Sequence, residues 1–476
     1  MNPTARPRSC ATAMAFLAAV IAASQVECVP RVVAQSHAVT VPSRFTRAGH
    51  TDLPLRWWRA FADLELNRLV SLALSGNQDL RAAWARLDQS RALARKAGAS
   101  LLPQVNADAG LTGTVSKESK SVSLVLGVAA SYEIDLWGRV RSTRDAARME
   151  VHATREALRA AGISLSAEVA NAWYQLVERQ GQVALLGRQI ELNDQVLTLV
   201  AFKFGQGQAR VADVLQQRQL IESLRGDRSL VKSQAQVLRH QLAVLAGRPP
   251  GKVVPRRVKR LPPLPPLPRT GVPTRLLERR PDVRSAYYKV RAADRRVAAA
   301  LADRFPRLSI SASASVTGGF NPSAFYTWLT NLAANLVAPI FDGGARKAEV
   351  ARTRAAASES VAAYGQVILI ALREVEDALN RERQQIKYLA SLDRQLRLSR
   401  TVIDQTRHSY LNGEEEYLRV LDALIKHQTL ERARLVTRRD LLLNRVALCR
   451  ALAGGWKLQR GKASADNPKA PRARRR

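Results

Sequence analysis

No proline occurs between Gln104 and Arg248, nor between Ile340 and Asn467. Within the first of these stretches apolar residues return at every seventh position: Val169, Leu176, Val183, Ile190, Leu197 and Phe204, with Leu185, Leu192 and Leu199 beside them. A sustained seven-residue repeat is the seam of a coiled coil. The second stretch carries Leu389, Leu396, Ile403 and Tyr410 at matching places. A helix running from Gly138 to Phe204, rising about 1.5 Å per residue, is roughly 100 Å long, which no compact globular domain holds. Gly205-Gln206-Gly207 and Asn412-Gly413 end the two runs, and a glycine there permits a left-handed cap and a reversal. The chain then returns through Val214, Ile221, Leu224, Val231, Leu238 and Leu245. Each stretch is expected to be a long antiparallel helical hairpin.

The two stretches belong to two copies of one unit. Asn77, Asp79, Leu80, Arg81 and Ala83 correspond to Arg280, Asp282, Val283, Arg284 and Ala286; Leu102-Pro103 corresponds to Phe305-Pro306. Gly138 and Arg141 meet Gly343 and Arg346, and Phe204, Gly207, Val214 and Leu215 meet Tyr410, Gly413, Val420 and Leu421. A repeat of about 200 residues therefore accounts for most of the length. The copies are read as 55–248 and 273–457, joined by a Pro-rich linker at 249–272, which composition makes extended and semi-rigid. An extended segment at 28–54 precedes them and a basic tail at 458–476 follows.

Between the first helix and the hairpin of each copy the period changes to two. Val105, Ala107, Ala109, Leu111 and Val115 share one face, and Asn106, Asp108, Thr112 and Thr114 the other. The next segment aligns Val122, Leu124, Leu126, Val128, Ala130, Tyr132, Ile134 and Leu136 against Ser121, Ser123, Ser131, Glu133 and Asp135. The second copy sets Ile310, Ala312, Ala314 and Val316 against Ser309, Ser311, Ser313 and Ser315. These are strands with one apolar and one polar face. They are long enough to cross a bilayer, which takes about 9–11 residues each. Four strands per chain cannot close a barrel, for which about eight is the minimum, so a membrane setting requires partner copies.

The N-terminus adds an address. Arg6 and Arg8 precede an apolar run from Ala11 to Ala23, too short to span a bilayer as a helix but suited to a secretory signal, read as 1–27. Cys28 stands where a bacterial lipoprotein carries its lipid, although Glu27 before it is large and charged. Two readings stay open: a palmitoyl/diacylglyceryl lipid on Cys28, or ordinary cleavage after Ser24 or Ala34. No later segment offers eighteen consecutive apolar residues, so no transmembrane helix is expected. Three cysteines, Cys10, Cys28 and Cys449, give no disulfide framework, and no Cys/His cluster or group of the six histidines suggests a metal site. Walker, GxSxG, HExxH and dinucleotide-binding patterns are absent, so no catalytic residue and no enzyme activity is expected.

Several runs are specific enough to compare with a known family. They are Trp57-Trp58 with Phe61, Asp63 and Leu66; Tyr132-Glu133-Ile134-Asp135-Leu136-Trp137-Gly138-Arg139; Leu276-Leu277-Glu278-Arg279-Arg280-Pro281-Asp282-Val283; Pro339-Ile340-Phe341-Asp342-Gly343-Gly344; and Ala451-Leu452-Ala453-Gly454-Gly455-Trp456. In order, on a duplicated chain, they resemble the outer-membrane efflux proteins of the TolC superfamily, and within it the OprM/NodT-type factors of tripartite pumps. The resemblance implies a mainly α fold with a small β part. In a homotrimer, four strands per chain would form a twelve-stranded barrel in the Gram-negative outer membrane, continuous with a helical barrel in the periplasm. It also implies a periplasmic membrane-fusion adaptor, an inner-membrane transporter, often of the RND type, and outer-membrane lipid as partners. Drugs or other small toxic compounds would be conducted passively.

In that family the hairpin tips close the periplasmic end. The matching positions here are Phe204, Gly207, Arg210, Asp213 and Val214 in the first copy, and Tyr410, Gly413, Glu414, Glu415, Glu416, Tyr417, Arg419, Val420, Leu421 and Asp422 in the second. Asp422 is the candidate for a ring of carboxylates. Arg419 lies three residues before it, within reach along a helix, while Glu415 and Arg419 exchange the signs found in one version of the pattern. Trp57-Trp58 are expected to pack under the helices, and Tyr132 and Trp137 to belong to an aromatic girdle. Protein secretion by a one-step (type I) exporter is the alternative cargo. The net charge of +35 raises a different class, a basic coiled-coil nucleic-acid binder. The signal segment, the strands and the repeat oppose that class, and nucleic acid is not expected as a partner. The charge also admits a lumen that favours anions.

Overall fold

The computed structural model describes residues 40–115, 120–253, 255, 260–318, 327–453 and 458. The signal segment, Cys28, Gly454-Gly455-Trp456 and the tail from 459 onward lie outside the described residues. A 3-10 turn at Trp57–Phe61 leads into helices α1 (Leu64–Gly76) and α2 (Gln78–Ala99), strands β1 (Gln104–Val115) and β2 (Lys120–Ile134), and helices α3 (Arg139–Gly205) and α4 (Val211–Leu245). The order then repeats: α5 (Pro273–Arg279), α6 (Pro281–Ala302), β3 (Arg307–Gly318), β4 (Thr327–Val337), α7 (Ala345–Leu411) and α8 (Tyr417–Leu452). The chain is mostly helical with a small sheet, as the sequence patterns require.

The first return helix ends at Leu245, the last residue of the sequence pattern, and one other detail goes beyond the sequence expectation. The return arms are shorter than the outgoing ones: α3 and α7 have 67 residues each, whereas α4 has 35 and α8 has 36. Helix α4 stops at Ala246-Gly247, just ahead of Pro249-Pro250, where backbone donors are lost. In addition α7 holds an 18-residue window of mean hydropathy 1.4, of which 17% is buried. By length and composition alone that window would pass as a span, a test that core helices of soluble proteins also pass. The long helix mixes this window with charged turns, so no unbroken apolar run marks it in the sequence.

The described residues form two compact units, each drawing on both copies: those of 94–147 with 290–361, and those of 40–93 with 148–289 and 362–453. The second unit holds the main core. Trp57, Phe61, Leu66, Leu69, Trp173 and Tyr174 are buried together with Leu242 and Val446. The indole edges are satisfied, Trp57 Nε1 donating to Ser166 Oγ at 3.0 Å and Trp173 Nε1 to Asp63 Oδ2 at 2.8 Å, whereas the buried Tyr174 hydroxyl has no hydrogen-bond partner among the described residues. Asp63 also caps α1, its Oδ1 accepting from the Glu65 and Leu66 amides. One aspartate thus starts a helix and fixes a tryptophan on another, and Trp57 and Trp58 pack inside as expected.

The first helix of each copy is interrupted at corresponding residues, Asn77 and Arg280. Asn77 Oδ1 accepts from the Leu80 amide and its Nδ2 donates to the Leu245 carbonyl, so one side chain starts α2 and terminates α4. A Cβ built on Gly247 would lie 2.0 Å from the Gly76 carbonyl oxygen, so the two ends meet backbone to backbone. In the second copy Arg280 Nη1 donates to the Ala451 carbonyl at 3.3 Å while its guanidinium holds Asp282 at 2.7 Å and Glu374 at 2.8 Å. Burial pushes the Asp282 carboxyl upward, but the hydrogen bonds and charge of Arg280 outweigh it and hold the group below the usual carboxylate range. The family-like run Arg280-Pro281-Asp282 is therefore a helix splice.

Candidate functional site

The sheet is antiparallel in the order β1-β2-β3-β4, leaving β1 and β4 as edges. Its register carries the alternation across all four strands. Val105 pairs with Ala130, Ala130 with Ala312, and Ala312 with Leu332; Ala107 pairs with Val128, Val128 with Ala314, and Ala314 with Thr330. One face is thus almost wholly apolar, extended by Leu126, Val316 and Trp328. The opposite face presents Asn106, Thr112, Ser123, Ser131, Ser309, Ser311, Ser313, Asn331 and Asn335. Both faces meet solvent in the single chain: Leu332 is 77% exposed and Trp328 75%. An apolar face so exposed on an isolated chain marks an interaction surface.

Each copy turns from its second strand into a long helix through the same device. Asp135 accepts from the Val140 and Arg141 amides, and Asp342 from the Gly344 and Arg346 amides. Hydrogen bonds from the Arg346 amide lead the forces that hold the Asp342 carboxyl below its usual range. Gly138 at φ 75° and Gly343 and Gly344 at φ 62° and 87° supply the left-handed backbone. The sequence pattern placed Asp135 and Leu136 on strand faces. The strand ends at Ile134, because the Asp135 carboxylate is committed to the helix N-terminus. Trp137 stacks on Phe305 with ring centroids 4.8 Å apart and donates from Nε1 to the Pro306 carbonyl, tying the two copies together at this end of the sheet.

At the hairpin tips both turns close as glycine caps. The Gln208 amide donates to the Lys203 carbonyl and the Glu414 amide to the Ser409 carbonyl, around Gly207 at φ 72° and Gly413 at φ 78°. The two tips pack on each other. Val200, Val214, Tyr417 and Leu421 form one cluster. The Tyr410 and Tyr417 rings lie 5.6 Å apart, and Lys203 Nζ sits 4.4 Å from the centre of the Tyr410 ring. Arg210 donates to Glu416 Oε1 at 3.1 Å, an ion pair between the copies, and its amide donates to Asp213 Oδ2. Burial raises the Tyr410 and Tyr417 hydroxyls above their ordinary values.

The charge pattern expected around Asp422 is corrected. Arg419 does not pair with Asp422. It faces Glu415 at 3.9 Å, one helical turn back, while Asp422 accepts from Lys426 Nζ at 2.7 Å, one turn on. Both spacings bring side chains together on a helix, and here each residue contacts its i, i+4 partner. The exchange of signs at 415 and 419 thus retains an ion pair. Of the candidate tip residues, Tyr410, Gly413, Arg210 and Asp213 converge on one cleft with Glu415, whereas Asp422 and Arg419 stand outside it.

Sequence reasoning missed the layer beneath the tips. Tyr417 Oη donates to Gln217 Oε1 at 2.7 Å; Gln217 Nε2 donates to Asn193 Oδ1 at 3.0 Å; Asn193 Nδ2 donates to the Gln189 carbonyl; and Gln189 Nε2 reaches Glu431 Oε2 at 2.9 Å. Asn193 and Gln217 are completely buried. Helices α3, α4 and α8 are therefore joined by a polar chain inside an otherwise apolar seam. Its only trace in the sequence is the polar residues Gln182, Gln189 and Asn193, interleaved with the heptad positions.

Comparison with known proteins follows the same outline. A model of the family described as outer membrane efflux protein matches twice, over residues 69–248 and 272–455. The pyoverdine export outer membrane protein OpmQ of Pseudomonas aeruginosa is 33% identical over 443 residues, covering 88% of this chain and 91% of that protein. The outer membrane protein OprJ of Pseudomonas aeruginosa is 32% identical, covering 84% and 86%. The solved outer-membrane channel OprN superposes with a TM-score of 0.81 at 28% identity, covering 88% of this chain and 97% of that one.

Proposed function

Because the chain belongs to the outer membrane efflux protein family and is an outer-membrane efflux conduit, we propose that it works as a homotrimer. In this reading it passively conducts drugs or other small toxic compounds delivered by a periplasmic membrane-fusion adaptor and an RND-type inner-membrane transporter. The observation that carries this reading is the sheet. Four strands of 12, 15, 12 and 11 residues are long enough to span, yet β1 and β4 each leave a row of unpaired backbone groups. Hydrocarbon does not tolerate such edges. Joining β1 of one copy to β4 of the next in a ring of three removes every edge and exceeds the barrel minimum of about eight strands. The apolar face then meets lipid and the polar face lines the passage. The exposed apolar window of α7 gives neighbouring copies a second surface to cover. Export of a small molecule, named for OpmQ, supports the cargo class.

A palmitoyl/diacylglyceryl lipid on Cys28 anchors each copy in the same reading. The expected result is an SDS-resistant, heat-modifiable trimer in the outer-membrane fraction, with an acyl mass on the Cys28 peptide. A stably inserted single copy would remove the trimer, and an unmodified Cys28 in the mature protein would remove the anchor.

The tips are the closing element. Arg210–Glu416, Lys203 over Tyr410 and the buried polar chain hold the two copies' turns together. Three Asp422 carboxylates repel one another when gathered about an axis, and the Lys426 partner of each offsets that repulsion. Asp422→Ala is expected to raise single-channel conductance of the purified trimer in planar bilayers; an unchanged conductance excludes Asp422 from closure.

A further inference from the structure

The net charge of +35 invites the expectation of an anion-favouring passage, and the polar face of the sheet argues the reverse. Charged residues on the four strands are few: Asp108, Lys120, Glu133 and Arg307. Lys120 pairs in register with Val115, at the far end of β1 and β2. Glu133 and Arg307 lie near strand ends and are neutralised, Glu133 by Arg139 at 2.7 Å and Arg307 by Asp303. Asp108 differs on both counts. It lies mid-strand in β1, opposite Gly127 of β2, and among the described residues it has no ion pair. Its carboxylate lies over β2: a Cβ built on Gly127 would come within 2.7 Å of Asp108 Oδ2. The missing side chain at Gly127 is what makes room for the carboxylate. Gly127 pairs onward with Ser315. Around Asp108 the face carries hydroxyls, amides, small residues, Val125 and Leu329, none of which offsets its charge.

We propose that Asp108 is the residue that sets ionic selectivity in the sheet-lined part of the passage, favouring cationic permeants over anionic ones. The inference rests on the trimeric barrel proposed above, in which each copy contributes one such carboxylate to the lumen. Strands about 4.8 Å apart and tilted roughly 40° place a twelve-stranded wall about 12 Å from its axis. The screening length is about 10 Å at 0.1 M salt and about 3 Å at 1 M. At the lower salt the field of the carboxylates covers most of the lumen, and at the higher salt it does not leave the wall. On the strands the only basic residues are Lys120 and Arg307, seven residues from Gly127 and eight from Ser315, which at about 3.3 Å per residue is more than twice the screening length at 0.1 M salt. The selectivity is therefore local and salt-dependent, not a reflection of net charge.

The test is the reversal potential of the purified full-length trimer in planar bilayers under a potassium chloride gradient, for the native chain, Asp108→Asn and Asp108→Arg. Near 0.1 M salt the native channel is expected to prefer potassium. Asp108→Asn should lower the potassium-to-chloride permeability ratio by roughly twofold or more, Asp108→Arg should turn it toward chloride, and the three should converge near 1 M salt. A native channel that prefers chloride, or variants that conduct with an unchanged ratio, overturns the inference while leaving the trimeric channel standing. A native chain that forms no conducting trimer overturns the proposed function itself, and this inference with it. Asp108 is exposed and, among the described residues, has no ion pair, so neither variant breaks a salt bridge.

Discussion

Arg445 and Arg419 each face a carboxylate, and their surroundings set how much each contact is worth. Arg445 forks onto Glu382 at 2.7 and 2.8 Å, with both side chains almost fully buried, and also donates to the Pro265 carbonyl. Arg419 lies 3.9 Å from Glu415 at the surface. Arg445→Ala leaves an uncompensated buried carboxylate and is expected to cost about 3–5 kcal/mol, whereas Arg419→Ala should cost less than about 1 kcal/mol. Loss of helical circular dichroism on heating would separate them; equal losses would contradict the burial argument. Cys449 illustrates the same dependence on surroundings: burial pushes its thiol up to about 12, leaving it a neutral packing group in α8. At this scale the sequence was partly legible. Glycines at 207 and 413 and acids near the tips follow from turn chemistry and helix spacing. The partners of Asp422 and Arg210 did not follow. One depended on choosing between neighbours on the same helix. The other joins residues some 200 positions apart, which no local pattern encodes.

Among the elements, the sheet tests the assignment of faces most directly. Leu332 and Asn331 are neighbours on β4 but belong to opposite faces, through their pairings with Ala312 and Ser313. An arginine on the lipid side near mid-membrane costs about 2–4 kcal/mol, and one on the lumen side is tolerated. Leu332→Arg should therefore reduce the trimer recovered from outer membranes while Asn331→Arg leaves it near the native level. The opposite ranking would reverse the faces. Strands β1, β2 and β3 were readable from alternation alone. Strand β4 was blurred, because Leu329, Ala333 and Val337 place apolar residues on its polar face as well. The long helices were readable from their seven-residue period. The end of the first return arm at Leu245 was readable as well, as the last apolar residue of the pattern ahead of Pro249-Pro250.

For the molecule as a whole, duplication was the strongest signal, and it also explains what a single copy lacks. Each copy supplies half a sheet and one hairpin, and residues of both meet at the strand-to-helix junction, at the tips and in the polar chain beneath them: Trp137 with Phe305, Arg210 with Glu416, Tyr417 with Gln217. Net charge was the least informative whole-chain quantity. The sheet face that carries the proposed selectivity holds one unneutralised carboxylate, while the strands, with two acids and two bases, hold none of the excess of positive charge. The joints at Asn77 and Arg280 have a further consequence. Every copy sets an uninterrupted helix against two shorter ones butted end to end and pinned by a single side chain. Torque passes undiminished along the first kind and meets a pivot in the second. The angle at that pivot is tunable by one substitution, without recutting a long helix, and the two copies already differ there: a neutral amide in one and a charged guanidinium in the other.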